Sequence, residues 1–345
     1  MTQVTVYGDI SPRTAAYAVS EFLKRGMPYM VLEKFGQTYP IPNNATKVAK
    51  FRRYYLSGAT GAAGTGTSTE AFSTPTSITP LVEGVTPAGR KLANTDYTAT
   101  LVQYGDFVTI TDVIMDTHED PVLNQMTEVL GESAAQTIET IRYNILKAGT
   151  NVFYANGGAR ASVNTPISLT LQRQVTTALN RQNARKITSV VSSTPEYNTQ
   201  PIEAAYIGLV HPDCETDIRG MTGYINPKQY GTVTPWENEI GAVEQVRYLS
   251  STIFAPFADA GGAKGSMRST SGTSADVYPV LFLARDAYGI VPLKGKAALT
   301  PMVVNPKPAA GDPLAQRGTV GWKAMTTAII LNDCWMARLE VAATA

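Results

Sequence analysis

His211, Asp213, Cys214, Glu215 and Asp217 are the densest run of catalytic residue types in the chain. A cysteine beside a histidine is the raw material of a nucleophile and its base. Here, however, the groups occupy near-successive positions on one turn, whereas working groups must converge on one reacting atom. The spacing suits a helix start instead. Pro212 and Asp213 open the helix, and Asp213, Glu215 and Asp217 lie near its positive N-terminal end. A soluble hydrolase using Cys214 and His211 is therefore the weaker reading, and no catalytic residue is expected.

A second polar group, Asp112, Asp116, His118, Glu119 and Asp120, has the ligand types of a divalent-cation site, but Asp120 already serves as a helix cap. The two cysteines, Cys214 and Cys334, and the two histidines, His118 and His211, make neither a Cys-x-x-Cys pair nor a zinc spacing. Neither a metal nor a disulfide framework is expected. The glycine-rich stretches 58–66 and 261–266 lack Gly-x-x-x-x-Gly-Lys-Ser/Thr between a strand and a helix, so a nucleotide is not expected either. The expectation is no cofactor.

One cluster has binding chemistry. Over 47–55, Lys47, Lys50, Arg52 and Arg53 are interleaved with Phe51, Tyr54 and Tyr55. Cations alternating with aromatics can follow a phosphate backbone and stack on bases. The same pattern also describes an amphipathic strand that docks on a neighbouring subunit. Both readings stand, DNA-facing or inter-subunit.

Charge bears on the choice. Lys+Arg 29 and Asp+Glu 28 give a net charge of +1, and charged residues make up 17% of the 345, where about 25% is usual. A near-neutral chain lacks the overall basic bias of a protein whose whole surface binds nucleic acid. Depleted charge is what surfaces buried against other protein carry. The N-terminal residues 1–9 show no basic stretch followed by an apolar run, and nowhere do 18 apolar residues run together. Neither a signal peptide nor a membrane span is expected.

The elements that must position these groups follow from periodicity. Residues 1–57 read as an extended arm with a helix-like stretch at 14–25, and 58–77 as a Gly/Ala/Ser/Thr segment unable to fold alone. From 78 to 113, β-branched and aromatic residues, with turn signals at 87–89 and at Asn94, read as a two-stranded excursion. Asp120 and Pro121 then start a long helix. Its apolar positions are Val122, Met126, Val129, Leu130, Ala134, Ile138, Ile141, Ile145 and Ala148, and Gly149 ends it. A second helix is expected from Ser168 to about Ala184, a buried strand over 204–210, a surface loop over 257–275, and strands over 299–304 and 326–331. Trp236, Trp322 and Trp335 suit either core packing or contacts between subunits.

This order of elements, with Tyr104-Gly105-Asp106, Thr111-Asp112, Val210-His211-Pro212-Asp213, Asp217-Ile218-Arg219, Trp236-Glu237-Asn238-Glu239-Ile240-Gly241, Ala287-Tyr288-Gly289 and the run from Asp312 to Lys323, resembles the major capsid proteins of tailed bacteriophages, podovirus-type, with the HK-ninety-seven-like shell fold. The likeness runs from about Pro28 to Glu340. It implies an α+β chain in five parts. These are an N-terminal arm and Gly-rich segment over 1–77, an extended loop over 78–113, and a peripheral domain with the spine helix over 114–188. An axial domain over 189–292 and a return to the peripheral domain over 293–345 complete it. It further implies self-assembly as hexamers and pentamers into an icosahedral virion shell around double-stranded DNA, built in the bacterial host cytoplasm. Scaffolding, portal and decoration proteins are the implied partners, with no membrane. Some shells of this fold crosslink through a loop lysine, a place Lys91 would take. The alternative is a non-viral nanocompartment shell of the same fold, filled with protein cargo.

Overall fold

The computed structural model describes residues 30–56, 59–61, 73–75, 81–86, 92–113, 122–190, 199–231, 233–293, 299–304, 308 and 313–345. The helix-like stretch at 14–25, the cap Asp120-Pro121, the group Asp116, His118 and Glu119, and Lys91 lie outside them. No helix among the described residues is long and apolar enough to cross a membrane.

Helix α1 (Val122–Lys147) runs 26 residues, about 39 Å at 1.5 Å per residue. It packs on two different sheets. Its first half sets Leu130, Ala134 and Ile138 against Val320, Trp322 and Ala324 of the first. Its last turns set Tyr143 and Leu146 against Ile207, Leu209, Leu281 and Leu283 of the second. Of the expected apolar positions, Leu130, Ala134 and Ile138 are buried and Met126 is half-buried. Val129 is exposed, Ile141 and Ile145 are half-buried and Ala148 is exposed, while Glu139 and Arg142 are buried. The expected stripe holds in the middle of the helix, and toward its end the buried Glu139 and Arg142 share the covered side with Tyr143 and Leu146.

The first sheet is organised by β15 (Arg317–Ile330), a 14-residue strand. Along one edge it pairs antiparallel with β6 (Val102–Thr111). Along the other lie β14 (Leu299–Val304) and then β13 (Tyr288–Pro292), with β1 (Gln37–Thr38) parallel to β13. The second sheet has the order β7-β16-β12-β8-β11-β10-β9. Its strands are β7 (Val152–Tyr154), β8 (Tyr206–Val210), β9 (Tyr224–Ile225), β10 (Glu239–Val243), β11 (Val246–Ser250), β12 (Tyr278–Leu283) and β16 (Met336–Val341). Every residue of β8, β12 and β16 is buried, which fits strands covered on both faces. One cover is helix α2 (Leu169–Arg181), which brings Val175 and Leu179 onto Tyr206, Val210 and Tyr248. The other is the end of α1 with Val31, Leu32 and Phe35.

Local signals fix several boundaries. Ser168 caps α2 by accepting from the Leu171 N–H at 3.4 Å. After β8, Pro212 begins a 3-10 turn (Pro212–Cys214) that continues as α3 (Glu215–Arg219) and ends at Gly220.

The two-stranded excursion expected within 78–113 needs correction. Leu92–Thr100 (β5) and β6 are successive strands, but they do not pair with each other. β5 is antiparallel to β2 (Val48–Leu56), drawn from the expected arm, and β6 joins β15. The Asn94 turn signal falls inside β5. Alternation announces a strand and says nothing of its distant partner. In the Gly-rich segment, β3 (Ala59–Gly61) and β4 (Ser73–Pro75) form a short ribbon.

The loop 257–275 is ordered by carboxylates. Asp276 accepts from the N–H groups of Asp259 (2.7 Å) and Thr270 (3.2 Å), and Asp259 accepts from that of Ser271 (3.0 Å). Gly261 lets this loop reach the 3-10 turn before α2. A Cβ there would sit 2.3 Å from the Val163 carbonyl oxygen and 2.8 Å from that of Ala275. Both obstacles are backbone, so Gly261→Ala is expected to cost about 2–3 kcal/mol by overpacking, read as a lower urea midpoint. Gly158→Ala, where a Cβ meets nothing within 4 Å, is the control and should leave the midpoint in place.

Candidate functional site

The run around His211 is structural glue. Asp213 accepts from the Tyr278 hydroxyl at 2.7 Å and pairs with Arg268 at 3.1 Å. The His211 Nδ1 accepts from the Asp213 N–H at 3.3 Å. Asp217 accepts from the N–H and hydroxyl of Thr344 at 3.0 and 2.6 Å, tying down the C-terminal segment. Cys214 is fully buried, and burial pushes its thiol far above the ordinary value while pushing the His211 imidazole below its own. These are the wrong directions for a thiolate–imidazolium pair. Among the described residues no group of three or more His, Cys, Asp or Glu side chains could hold a metal ion.

The basic cluster is divided by the strand that carries it. On β2, Lys50, Arg52 and Tyr54 are exposed on one face. Ala49, Phe51 and Arg53 lie on the other, more buried one, and Lys47 precedes the strand. Arg52 stands opposite Asp96 of β5 and holds it bidentately at 2.7 and 2.9 Å, while Lys50 reaches the same carboxylate at 3.0 Å. The two cations hold Asp96 far below the usual carboxylate range. The structure therefore brings Lys50 and Arg52 together around one acid and sends Arg53 to the opposite face. The ribbon is rooted where Ala49, Ala99 and Leu101 pack on Ile41 and Val291, and further along it Tyr54 is 60% exposed.

A larger uncovered surface is the side of the first sheet turned away from α1. Phe107, Gly321 and Met302 are cross-strand neighbours in one row, and Phe107 is 67% and Met302 46% exposed. Together with Val304 and Lys323 they line an open depression of about 610 Å³. Exposed apolar side chains set contiguously on a sheet face mark a contact surface.

Three buried ion pairs, absent from the sequence expectations, hold the platform behind these surfaces. Glu239, its side chain fully buried, accepts from Arg247 twice at 2.7 Å, from the Tyr230 hydroxyl at 2.7 Å and from the Trp236 N–H at 2.9 Å. The Arg247 guanidinium lies 3.9 Å from the Trp236 ring centroid. Glu340 takes a bidentate Arg160 at 2.7 and 2.8 Å and Arg338 at 2.9 Å, and Arg338 also donates to the Lys147 carbonyl that closes α1. Glu139 on α1 accepts from the Val31 and Leu32 N–H groups at 2.9 and 2.6 Å beside Arg142. A trace of these sites was present in the sequence: Arg338 and Glu340 interrupt an otherwise apolar strand. Of the tryptophans, Trp322 is core between the first sheet and α1, and Trp335 donates to the Gln182 carbonyl at 3.1 Å.

Comparison with solved structures returns phage capsids. The capsid of Ralstonia phage GP4 superposes with a TM-score of 0.61 at 13% identity, covering 100% of this chain and 99% of that one. The Cyanophage Pam1 capsid gives 0.59 at 15% identity over 94% and 93%, and the capsid of Cyanophage P-SCSP1u 0.57 at 15% over 91% and 88%. The α+β architecture is thus the tailed-phage, HK-ninety-seven-like capsid fold. A comparison with curated proteins finds no match. The profile of the family described as phage capsid protein matches residues 94–337, well over half the chain. That stretch holds most of β5, all of β6 and the spine helix α1, and most strands of both sheets, and on it the chain belongs to the phage capsid protein family.

Proposed function

We infer that this capsid protein assembles as hexamers and pentamers into an icosahedral shell that encloses double-stranded DNA. The observation that carries the reading is the apolar face of the first sheet on a chain with the capsid fold: Phe107, Met302 and Val304 are exposed on it, as on a surface that meets another chain. The low charge content supports the same conclusion. In this reading α1 with the first sheet forms the peripheral part, and the second sheet forms the axial part. β7 and β16, from outside 189–292, pair into that second sheet. Scaffolding, portal and decoration proteins are the partners assigned to assembly in the host cytoplasm. Electron microscopy of the native particle with nuclease-protected nucleic acid tests it. Closed shells holding DNA are expected, and shells holding protein instead would favour a compartment.

The sharing of Asp96 by Lys50 and Arg52 leaves one net positive charge on that face of the ribbon, which favours a subunit contact over a DNA-facing wall. Changing Lys47, Lys50, Arg52 and Arg53 together to Gln is therefore expected to reduce shell yield and packaged DNA in parallel, measured by particle counts and nuclease-protected DNA per particle. Intact shells with less DNA would place the cluster on the inner wall.

A further inference from the structure

Helix α2 turns Val175, Ala178 and Leu179 toward the second sheet and keeps its other side polar. On that side Thr170, Gln174, Thr177 and Arg181 are exposed and fall on one stripe of the helix. With Arg173 and with Phe153 of β7 they line an open groove of about 560 Å³. Arg173 is held by Glu244, so the groove presents two hydroxyls, an amide and the Arg181 guanidinium.

The groove ends in a cluster of cations. Arg181 is the last residue of α2, and Arg185 and Lys186 follow the turn at Asn183, whose φ is +51°. Arg285, in the connection between β12 and β13, donates its backbone N–H to the Arg185 carbonyl at 2.8 Å. That bond brings a fourth cation in from a distant part of the chain. Arg181, Arg185 and Arg285 are exposed and Lys186 is half-buried. The negative end of a helix favours a cation, which accounts for Arg181 but not for Arg285, carried by another element. Among the described residues the acid paired with this cluster is Asp286, 3.9 Å from Arg285. Four cations against one paired acid leave an excess of three positive charges, on a chain whose net charge is +1.

Guanidinium forks match phosphate oxygens bidentately. Thr and Gln side chains are the neutral donors that fix a phosphate backbone without reading its bases. A protein partner would be anchored instead by aromatic or aliphatic side chains at a desolvated centre, whereas the exposed side chains of this cluster are charged. We propose that the outer groove of α2 and the cluster of Arg181, Arg185, Lys186 and Arg285 at its end carry the phosphate backbone of double-stranded DNA. The proposal rests on the shell reading above and turns the α2 side of the second sheet to the interior. The 13 residues of α2 offer about 20 Å of track, and the contact is independent of sequence.

The test is chemical footprinting of native shells, filled with DNA and again after the DNA has been released. Acetylation of Lys186 and phenylglyoxal modification of Arg185 and Arg285, read by mass spectrometry, are expected to rise several-fold on release, while Lys228, exposed beyond the β9 edge, serves as the internal reference. A second arm needs no shells. Binding of a short DNA duplex by the unassembled full-length chain, followed by fluorescence anisotropy, is expected to weaken about 100-fold between about 50 and 200 mM salt if four cations meet phosphates. Changing Arg181, Arg185, Lys186 and Arg285 to Gln should remove most of that salt dependence. Equal protection in filled and emptied shells would show that protein covers the cluster, and equal modification in both would show that it does not meet DNA. Either result, or a variant with wild-type duplex binding, overturns the inference and leaves the shell reading intact. Absence of DNA-filled shells overturns the shell reading and the inference with it.

Discussion

Arg247→Met is expected to lower the stability of the unassembled chain by about 3–5 kcal/mol, the usual cost of removing one partner from a buried ion pair. The Arg247 side chain is 4% exposed and that of Glu239 is fully buried. Met fills much of the arginine stem's volume, so the loss reports the charge left behind more than a cavity. In the variant, the Glu239 carboxylate keeps the Tyr230 hydroxyl and the Trp236 N–H but loses both guanidinium contacts.

The effect should be coupled rather than additive. Glu239→Gln/Arg247→Met removes the buried charge altogether and should cost less than the sum of the two single changes, with a coupling above about 1 kcal/mol for residues in direct contact. Urea midpoints for the four proteins, followed by tryptophan fluorescence, to which Trp236 contributes beside Trp322 and Trp335, supply the cycle. Simple additivity would show that the pair does not act as a unit, and the loop 226–238 would then owe its position to packing alone. A ring stacked on a guanidinium and an N–H bonded to its partner carboxylate make Trp236 sensitive to either change.

What the sequence disclosed follows the range of each signal. β8 and α2 are legible because five consecutive apolar residues, or a serine cap followed by a 3.6-residue period, are local facts, and β14 matches its expected bounds, Leu299–Val304. β15 was expected over 326–331 yet begins at Arg317. Its first half, with two glycines and a lysine, has poor strand propensity, and pairing on both edges overrides that preference. The β2–β5 ribbon pairs Leu56 with Leu92 at one end and Val48 with Thr100 at the other, separations that no window of alternation can reveal. Of the four cations read as one basic cluster, a period of two sends Arg53 away from Lys50 and Arg52, and Asp96 supplies a counter-charge from another strand. The buried charges were hardest to foresee, because Glu139 is solvent-facing by type and buried by function. The capsid likeness was legible because it rests on the joint order of many short motifs, a signal that survives where each motif alone is weak.

Glu139 also gives the pH prediction with the largest expected effect. Its carboxylate is fully buried, and burial, outweighing the Leu32 N–H, Arg142 and the Val31 N–H, raises its pKa from 4.5 to about 7, with the Glu33 carboxylate adding to the rise. The folded state then binds a proton more tightly than the unfolded chain. Between about pH 4.5 and 7 the native protein carries more protons, so stability falls as pH rises through that window and levels off above it. At 1.36 kcal/mol per pKa unit, the fall is about 3 kcal/mol. The carboxyl whose charging costs this stability joins α1 to Val31 and Leu32 at the base of the N-terminal segment, and Tyr288 grips the same turn through the Leu32 carbonyl. Glu139→Gln keeps an acceptor for the two N–H groups but cannot titrate. Its urea midpoint should therefore change much less between pH 5 and pH 7 than that of the wild type, and the difference between the two proteins cancels every other titrating group. Glu139→Ala removes the acceptor and leaves two buried N–H groups unpaired, at about 1–3 kcal/mol each. In that variant, limited proteolysis at pH 7 should cut within 30–36 before any other described segment. Equal pH slopes for wild type and Glu139→Gln, or no new cleavage in Glu139→Ala, would show that the Val31–Phe35 contacts with the second sheet hold this segment without the carboxylate.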